Sequence, residues 1–234
     1  MQNKIEILST RPVDVSIINL CTANNIVLDI FSFIKTEPIE TVEVQQEIEN
    51  ALLLSAVVVF TSMNAVEAVA QFLFDAQPDW RIYCIGNTTQ QLVKKYFGND
   101  CIAATAQDAA ALAEVIIAEE KDGIEEVIFF CGDIRRDELP QALQSNNIDV
   151  QEIVVYETIA VHHKIEKIYQ GILFFSPSAV DSFFSANKPN DKTIFFAIGN
   201  TTASTIKKYA DNKIIIAGEP GKDALAEKAV EYFS

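Results

Sequence analysis

Hydrophobic residues occur in this chain as short, nearly continuous runs separated by longer amphipathic stretches. The runs are rich in β-branched and aromatic residues and predict ten strands, at 4–9, 26–31, 55–61, 81–85, 101–104, 126–131, 148–154, 171–175, 193–198 and 213–217. Most are apolar throughout, so both faces of each strand are expected to be covered. Helices fill the gaps, for instance at 64–75, 88–96, 108–120 and 222–233. This alternation is typical of α/β proteins, and the strands divide into two five-stranded, doubly wound parallel sheets.

One segment of the chain occurs twice. Cys-Ile-Gly-Asn-Thr-Thr at 84–89 returns as Ala-Ile-Gly-Asn-Thr-Thr at 197–202, and Lys-Lys-Tyr follows each copy. Upstream of these copies, Phe-Thr-Ser-Met-Asn-Ala-Val at 60–66 matches Phe-Ser-Pro-Ser-Ala-Val at 175–180. An internal repeat of this length predicts two similar domains of about 110 residues each, with a cleft between them.

A second, weaker repeat interleaves with the first, because residues 24–37 resemble residues 146–158. The two kinds of unit therefore alternate along the chain. Either each unit of the first kind folds with the unit that follows it, or the first unit joins the last and the chain crosses between domains twice. The repeats alone are compatible with both arrangements. Extended stretches at 32–38 and 155–161 run on beyond their strands and predict a pair of connectors between the domains.

The composition narrows the classes of partner. The net charge is −15, from 18 basic and 33 acidic residues, which argues against nucleic acid because such binding needs a basic surface. A small anion remains compatible, since backbone donors act locally. The longest uncharged apolar stretch, 51–60, is too short to span a membrane. Lys4, Glu6 and Arg11 stand where a signal peptide would be apolar. We expect a cytoplasmic protein without a membrane partner.

Cysteine and histidine offer little for metal or nucleophilic chemistry. The cysteines lie far apart, at Cys21, Cys84, Cys101 and Cys131. Without a CxxC pair they are expected to be buried, reduced thiols. The only histidines, His162 and His163, are adjacent and give no metal-ligand spacing. A Ser-His-Asp triad would have to use one of these two residues, which disfavours that class of enzyme.

Small polar residues follow four predicted strands, where helices begin. They include Ser62, Asn64, Thr88, Thr89, Ser176, Ser178, Thr201 and Thr202. Helix capping alone accounts for such residues. However, the carboxyl ends of parallel strands are also where ligands bind in open α/β sheets, and helix N-termini bind carboxylates and phosphates. The single glycines Gly86 and Gly199 match neither a dinucleotide fingerprint nor a P-loop, which argues against NAD or ATP.

Two arginines and a tyrosine complete the candidate site. Arg135 and Arg136 follow a predicted strand within 131–140. A surface ion pair with neighbouring acids is one interpretation of these arginines, and anion binding is the other. Tyr156 lies in the second predicted connector. It is either a packed hinge residue or a proton donor, because a phenol retains its proton at neutral pH.

In their order and spacing these motifs resemble the uroporphyrinogen-III synthase family. The resemblance covers essentially the whole chain. It rests on Thr-Arg-Pro at 10–12, Phe-Thr-Ser-x-Asn-Ala-Val at 60–66, Gly-Asp-x-x-Arg-x-x-Leu-Pro at 132–140, Val-Tyr-Glu-Thr at 155–158, Phe-Phe-Ser-Pro-Ser-Ala-Val at 174–180 and Ala-Ile-Gly-Asn-Thr-Thr-Ala at 197–203. It implies the exchanged arrangement, with one domain at 1–34 plus 161–234 and the other at 39–153. A two-stranded antiparallel connector, formed by 35–38 and 154–160, would join them.

The resemblance also implies a cyclising lyase of tetrapyrrole and heme biosynthesis. The linear tetrapyrrole hydroxymethylbilane, a polycarboxylate, would lose water and close through a spiro intermediate with its terminal ring inverted. The family uses no metal or organic cofactor. Tyr156 would be the general acid, and Arg11, Arg136 and the turn residues would bind the carboxylates. We expect a monomer with two mobile domains. The competing hypothesis is a non-enzymatic two-domain binding protein or sensor for an anionic metabolite.

Overall fold

The structure, a computed structural model, describes residues 4–74, 77–120, 123–218 and 222–234. Within these ranges strands alternate with helices. The strands are β1 (Ile5–Ser9), β2 (Ile26–Ile30), β3 (Ile34–Pro38), β4 (Ala56–Phe60), β5 (Trp80–Ile85), β6 (Ile102–Ala106), β7 (Glu126–Gly132), β8 (Asp149–Ala160), β9 (Gly171–Phe174), β10 (Ile194–Ala197) and β11 (Ile214–Ile216). The helices are α1 (Val15–Ala23), α2 (Val42–Leu52), α3 (Met63–Ala70), α4 (Asn87–Phe97), α5 (Ala109–Glu120), α6 (Glu138–Gln144), α7 (Pro177–Ala186), α8 (Asn200–Ile206) and α9 (Lys222–Phe233).

The chain divides into two compact units. Unit 1 comprises Met1–Lys35 and Ile159–Ser234, and unit 2 comprises Thr36–Thr158. The sheet of unit 1 has the strand order β11-β10-β9-β1-β2, and its neighbouring strands pair in parallel. From β1 the chain proceeds to one edge through β2, and from β9 it proceeds to the other edge. The topological switch point of this sheet therefore lies between β1 and β9, where open α/β sheets bind ligands.

Helices cover both faces of the unit 1 sheet. Phe195 and its neighbours pack with α7 and α8 on one face, and Phe196 packs with α1 and α9 on the other. Adjacent strand residues point to opposite faces, so a continuous apolar run such as the one in β10 is what a doubly covered strand requires. Both phenylalanines are fully buried. This arrangement makes the unit a doubly wound α/β sandwich.

Unit 2 repeats this architecture with a different strand order. Its sheet runs β3-β8-β7-β4-β5-β6, and the strands from β8 to β6 pair in parallel. Helices α2, α3 and α4 cover the face that contains Phe130, and α5 and α6 cover the face that contains Phe129. The switch point lies between β4 and β7. The predicted doubly wound α/β class is therefore confirmed, and the ligand-binding crevice of this sheet is expected beside the carboxyl ends of these two strands.

The predicted count of two five-stranded sheets is wrong for the second sheet. Residues 35–38 were expected as one strand of a two-stranded antiparallel connector, and they do pair with β8 as part of β3; because β8 also belongs to the sheet, the described part of this sheet has six strands. Ile39 N donates to Val155 O at 3.0 Å, and Val161 N donates to Phe33 O at 2.9 Å. Residue numbers fall along one strand as they rise along the other, so the pair is antiparallel. Two adjacent extended segments satisfy the hydrogen-bonding requirements of their backbone N–H and C=O groups in this way.

The four predicted helices are present, three of them within one residue of the expected ends. The exception is the helix predicted at 64–75, since α3 ends at Ala70. The chain then turns, and Phe74 adopts a positive φ of 45° that no α-helix accommodates. Residue 75 of that prediction lies outside the described residues. Among the described helices, none combines the length and the apolar character needed to cross a membrane.

Candidate functional site

A concavity of about 400 Å³ lies at the carboxyl edge of the unit 2 sheet. Its polar lining includes Ser62 after β4, Gly132 and Arg136 at and after the end of β7, and Tyr156 on β8. Because β4 and β7 flank the switch point, this is the position where the parallel-sheet topology opens a crevice. The predicted site residues Ser62, Arg136 and Tyr156 are therefore brought together, although they are distant in sequence.

The Tyr156 phenol is held by the start of helix α3. Its hydroxyl donates to Ser62 Oγ at 3.1 Å, and Ser62 Oγ also accepts from Asn64 N at 3.2 Å. Ser62 is the N-cap residue of α3, which explains why a hydroxyl residue is favoured there. Asn64 lines a second concavity of about 100 Å³, and Tyr156 lines this one too. The phenol therefore lies between two open spaces with its proton directed at a serine oxygen.

The structure distinguishes the two adjacent arginines. Arg135 forms ion pairs with Glu152 on β8 and with Asp137, the latter at 2.8 Å. The hydrogen bond that Arg135 donates to Glu152 contributes most to raising the pKa of Arg135. Arg136 is exposed, lines the larger concavity, and makes no ion pair with any described residue. Arg135 therefore links the turn after β7 to Glu152 on β8, whereas the guanidinium of Arg136 remains available to an anion.

In unit 1, Arg11 and Ser176 follow the neighbouring strands β1 and β9. Thr10 fixes the start of this turn, because its backbone N and its Oγ1 both donate to Leu173 O, at 3.1 and 2.8 Å. The guanidinium carbon of Arg11 lies 5.6 Å from the centre of the Phe175 ring. Arg11 Nε is buried and has no hydrogen-bond partner among the described residues.

The environment of Arg11 favours an anionic ligand. Burial lowers its pKa, and the Asp14 carboxylate acts in the opposite direction. Even so, an arginine stays charged in a protein, so a partly buried cation with an unused donor lies at the unit 1 switch point. Beside it, Ser176 Oγ accepts from Ala179 N at 3.2 Å and caps α7.

The four candidate threonines do not cap their helices. The N-cap positions of α4 and α8 are Gly86 and Gly199, neither of which has a side chain to cap with. Thr88 and Thr201 are exposed, whereas Thr89 and Thr202 are buried. Among the described lining residues of the concavity at Tyr156, neither Thr88 nor Thr89 is found. Capping therefore explains the serines at 62 and 176 but not these threonines. Ser178 lies half-buried in the first turn of α7.

The thiols do not provide a nucleophile at this site. All four cysteines are free, and burial raises the pKa of Cys84 and of Cys131 to about 11, so both remain protonated at neutral pH. Three of the four are buried as expected, but Cys101 is only half-buried. It lies between α4 and β6 and donates to Gly98 O at 3.1 Å. Because each histidine contacts its own polar partner, Ser185 Oγ for His162 and Ser32 O for His163, neither is joined to a thiol.

Several lining residues of the larger concavity were not predicted. Ile85, Phe129 and Leu139 make part of it apolar, and Asp108 contributes a carboxylate. Asp108 Oδ1 accepts from Ala111 N at 2.9 Å at the start of α5. The sequence contained a signal for Asp108, since it stands where a helix was predicted to begin. For the apolar residues it contained none, because strand ends and core positions have the same composition.

Comparisons with known proteins agree with these observations. The family described as uroporphyrinogen-III synthase HemD matches residues 17–227. A "Porphyrin biosynthesis protein HemD" of Ruminiclostridium josui is 25% identical over an alignment of 190 residues, and the match covers 74% of this chain and 37% of that protein. A "Uroporphyrinogen-III synthase" of Saccharomyces cerevisiae is 27% identical over 180 residues, covering 65% of this chain and 64% of that protein. The chain thus spans less than two thirds of the length of each of these relatives.

Solved structures share the fold over almost the full chain. The uroporphyrinogen-III synthetase of Helicobacter pylori superposes with a TM-score of 0.69 at 17% identity, covering 97% of this chain and 99% of that one. A mutant uroporphyrinogen III synthase of Thermus thermophilus gives a TM-score of 0.60 at 11% identity, covering 98% of both chains. At such identities the likeness concerns the fold, and the family assignment rests on the sequence match. That match extends over most of the chain, and the chain belongs to the uroporphyrinogen-III synthase HemD family.

Proposed function

We propose that this protein cyclises the linear tetrapyrrole hydroxymethylbilane to uroporphyrinogen III, with loss of water and inversion of the terminal ring. It would act as a lyase of tetrapyrrole and heme biosynthesis. The observation that carries the proposal is the Tyr156 phenol, held at the carboxyl edge of a parallel sheet. Arg136, which makes no ion pair with a described residue, lines the same concavity. A proton donor next to a cation suits a substrate that combines a leaving hydroxyl with many carboxylates.

In the proposed mechanism, Tyr156 protonates the departing hydroxyl. The carbon–oxygen bond breaks, water leaves, and the remaining positive charge is delocalised over the adjacent pyrrole. The substituted α-carbon of the terminal ring then attacks this carbon and gives the spiro intermediate. The bond from that α-carbon to its original bridging carbon breaks, and the bridging carbon bonds instead to the free α-carbon of the same ring, which leaves the ring inverted. The carbon that closes the macrocycle loses a proton, which balances the proton taken from the phenol. Because the bilane is intrinsically reactive, the main task of the protein is to hold one folded conformer.

Carboxylate binding is assigned to groups at the strand ends of each unit. In unit 2 we assign it to Arg136 and the α3 N-terminus, and in unit 1 to Arg11 and the α7 N-terminus. The further proposed contacts are Ser62, Asn64, Thr88, Thr89, Ser176, Ser178, Thr201 and Thr202. A chain of net charge −15 can still bind a polyanion in this way, because charge-assisted hydrogen bonds and helix N-termini act at short range.

We also propose that residues 1–34 with 161–234 and residues 39–153 are two domains, connected by 35–38 and 154–160. The division of chain contacts into Met1–Lys35 with Ile159–Ser234 and Thr36–Thr158 supports these boundaries. The protein is proposed to be a monomer. Sedimentation velocity should then give the mass of one chain at all concentrations, and a mass that rises with concentration would contradict it.

The activity is tested with freshly prepared hydroxymethylbilane. After incubation, the porphyrinogen is oxidised and its isomers are separated. We expect type III isomer in proportion to the amount of protein, above the type I isomer that forms spontaneously. Type I isomer alone, at the rate of a protein-free control, would contradict the proposal. If the bilane or the product still bound tightly in that case, the chain would be a binding protein for an anionic metabolite instead of an enzyme.

Replacing the unit 1 cap, Ser176→Ala, is expected to reduce kcat/KM about five-fold without abolishing activity. The change removes the oxygen that accepts from Ala179 N, a cap worth about 1 kcal/mol. The backbone N–H groups of the helix terminus remain. Steady-state kinetics and thermal unfolding would be measured together. The matched control is Thr41→Ala, which removes the cap of α2 and should lower stability alone. Complete inactivity of a well-folded Ser176→Ala protein would contradict a purely binding role.

A further inference from the structure

Gly132, the last residue of β7, lies directly beneath the ring of Tyr156. A Cβ atom at this position would lie 2.5 Å from Tyr156 Cε2 and 2.8 Å from the phenolic oxygen, where distances under 3.0 Å essentially never occur. Gly132 is buried, and its φ is outside the positive range that favours glycine. An alanine is therefore compatible with the backbone at 132, and it is the Tyr156 ring that excludes it.

A β-bulge brings the ring to this position. Cys131 pairs with Val154, but the next pair along is Gly132 with Tyr156, so Val155 is an extra residue on β8. Val155 and Tyr156 both pack against the cluster that contains Phe60 and Phe130, although adjacent residues of a regular strand point to opposite faces. Bulges redirect side chains in this manner. The bulge therefore turns Tyr156 onto the face of the sheet where Gly132 leaves room.

The backbone of Tyr156 is fixed by the residue after Gly132. Asp133 N donates to Tyr156 O at 3.1 Å, and Asp133 Oδ1 accepts from Thr158 N at 2.9 Å. On the other side of Tyr156, Val155 O accepts from Ile39 N at 3.0 Å. With the main chain held in this way, the ring moves mainly by rotating about its side-chain bonds. One face of the ring lies against Gly132, and the hydroxyl is hydrogen-bonded to Ser62 Oγ at 3.1 Å.

We propose that Gly132 is a positioning residue for Tyr156. Because glycine has no side chain, the ring of Tyr156 can lie close to β7. This close approach determines where the phenolic proton lies in the concavity. The catalytic half of this inference rests on the proposed function, in which that proton goes to the leaving hydroxyl. The packing half concerns the ring contact alone and holds for any function of the site.

The catalytic half is tested by a double-mutant cycle. Gly132→Ala should lower kcat for type III formation about 10-fold or more, with little change in KM. The largest loss expected is that of Tyr156→Phe. The reason is that displacing a reacting group by about 1 Å can lower the rate about 10²-fold. In the Tyr156→Phe background the same alanine should cause no further loss, because no phenolic proton remains to be misplaced. A wild-type rate for Gly132→Ala, or an equal loss in both backgrounds, would overturn the inference.

The packing half is tested by thermal unfolding without substrate. Gly132→Ala should lower the unfolding midpoint, and the midpoint should return to that of Tyr156→Ala when the two changes are combined, since the clashing ring is then gone. This comparison remains decisive if Gly132→Ala alone does not fold. If the double variant also fails to fold, or keeps the full loss in midpoint, the ring is not what excludes a side chain at 132.

Two glycines provide matched controls. A Cβ at Gly171, in the unit 1 core, would lie 3.0 Å from the Phe233 ring, so Gly171→Ala should lower stability without changing kcat. A Cβ at Gly123 would meet nothing within 4 Å, so Gly123→Ala should change neither stability nor kcat.

A wild-type protein that forms no type III isomer would refute the proposed function, and the unfolding comparison at Gly132 would still decide the packing half.

Discussion

Tyr156→Phe is expected to slow formation of the type III isomer about 100-fold while thermal stability and product affinity stay close to those of the wild-type protein. General acids contribute about 10²–10⁴-fold, and the low end applies because the leaving hydroxyl of the bilane can also depart unaided. The substitution keeps the ring over Gly132 and its packing against the core. It removes only the hydroxyl, and with it the bond of 3.1 Å to Ser62 Oγ.

The measurement is the initial rate of type III formation for both proteins, corrected for the spontaneous type I background. Tyr83→Phe is the matched control. The Tyr83 hydroxyl is 2.8 Å from Glu119 Oε2 and 2.6 Å from Glu120 Oε1, in the buried interior of unit 2. Its removal should therefore lower stability and leave the rate unchanged, the opposite of the profile expected for Tyr156→Phe. Equal rates for Tyr156→Phe and the wild-type protein would refute the general-acid assignment and leave Tyr156 as a packed residue of β8.

Arg11→Ala is expected to reduce kcat/KM about 10- to 100-fold, mainly through KM. Hydrogen bonds to charged groups contribute about 1.5–3 kcal/mol each, and Arg11 Nε is buried with no partner in the described part of the chain. A substrate carboxylate would provide that partner. Arg11→Lys should recover only part of the loss, because an ammonium group retains the charge but not the planar, bidentate donor geometry.

The control for Arg11 is an arginine that already has a partner. Arg81 pairs with Glu120, whose side chain is only 3% exposed, near the amino end of β5 and away from the carboxyl edge. Arg81→Ala would leave that carboxylate without its counter-ion and should lower stability, with kcat/KM unchanged in the folded protein. Steady-state kinetics at constant ionic strength and thermal unfolding of the three variants separate the two roles. A wild-type KM for Arg11→Ala would mean that the carboxylates bind elsewhere.

The fold was largely predictable because burial on both faces leaves its mark on composition. Val57 to Phe60 and Val127 to Cys131 are apolar without interruption, and both segments are central strands between two helical layers. The family resemblance implied that β3 is one strand of an antiparallel connector, but its place at the edge of the sheet was not predicted. Its four C-terminal residues, from Lys35 onward, are exposed, so no apolar pattern distinguishes it from a loop, and only its pairing with β8 makes it a strand.

The candidate site was predictable in its location but not in its division of roles. Polar residues at strand ends indicate the carboxyl edge of a sheet, and Ser62, Arg136 and Tyr156 do line one concavity. Only the family resemblance singled out Arg136, because composition and charge do not distinguish two adjacent arginines. Glu152, on the neighbouring strand, determines which of them is paired. The Gly132 contact depends on a bulge in the register of two strands, and register is a property of the pairing rather than of either segment.

The pairing of β1 with β9 has a consequence for the order in which the protein takes shape during synthesis. Leu8 in β1 aligns with Ile172 in β9. The central strand β1 of the unit 1 sheet therefore cannot pair with β9 until the ribosome has synthesised most of the chain. Unit 2 is continuous from Thr36 to Thr158 and can complete its core first, since domains generally fold as units during translation. Meanwhile α1 can cover only one face of β1 and β2, and Leu8 on the other face has no cover until the later strands and helices of its cluster are made. During that interval unit 2 is folded while apolar residues of β1 and β2 are exposed to solvent. The tendency of the nascent chain to aggregate then depends on how quickly the last strands are made.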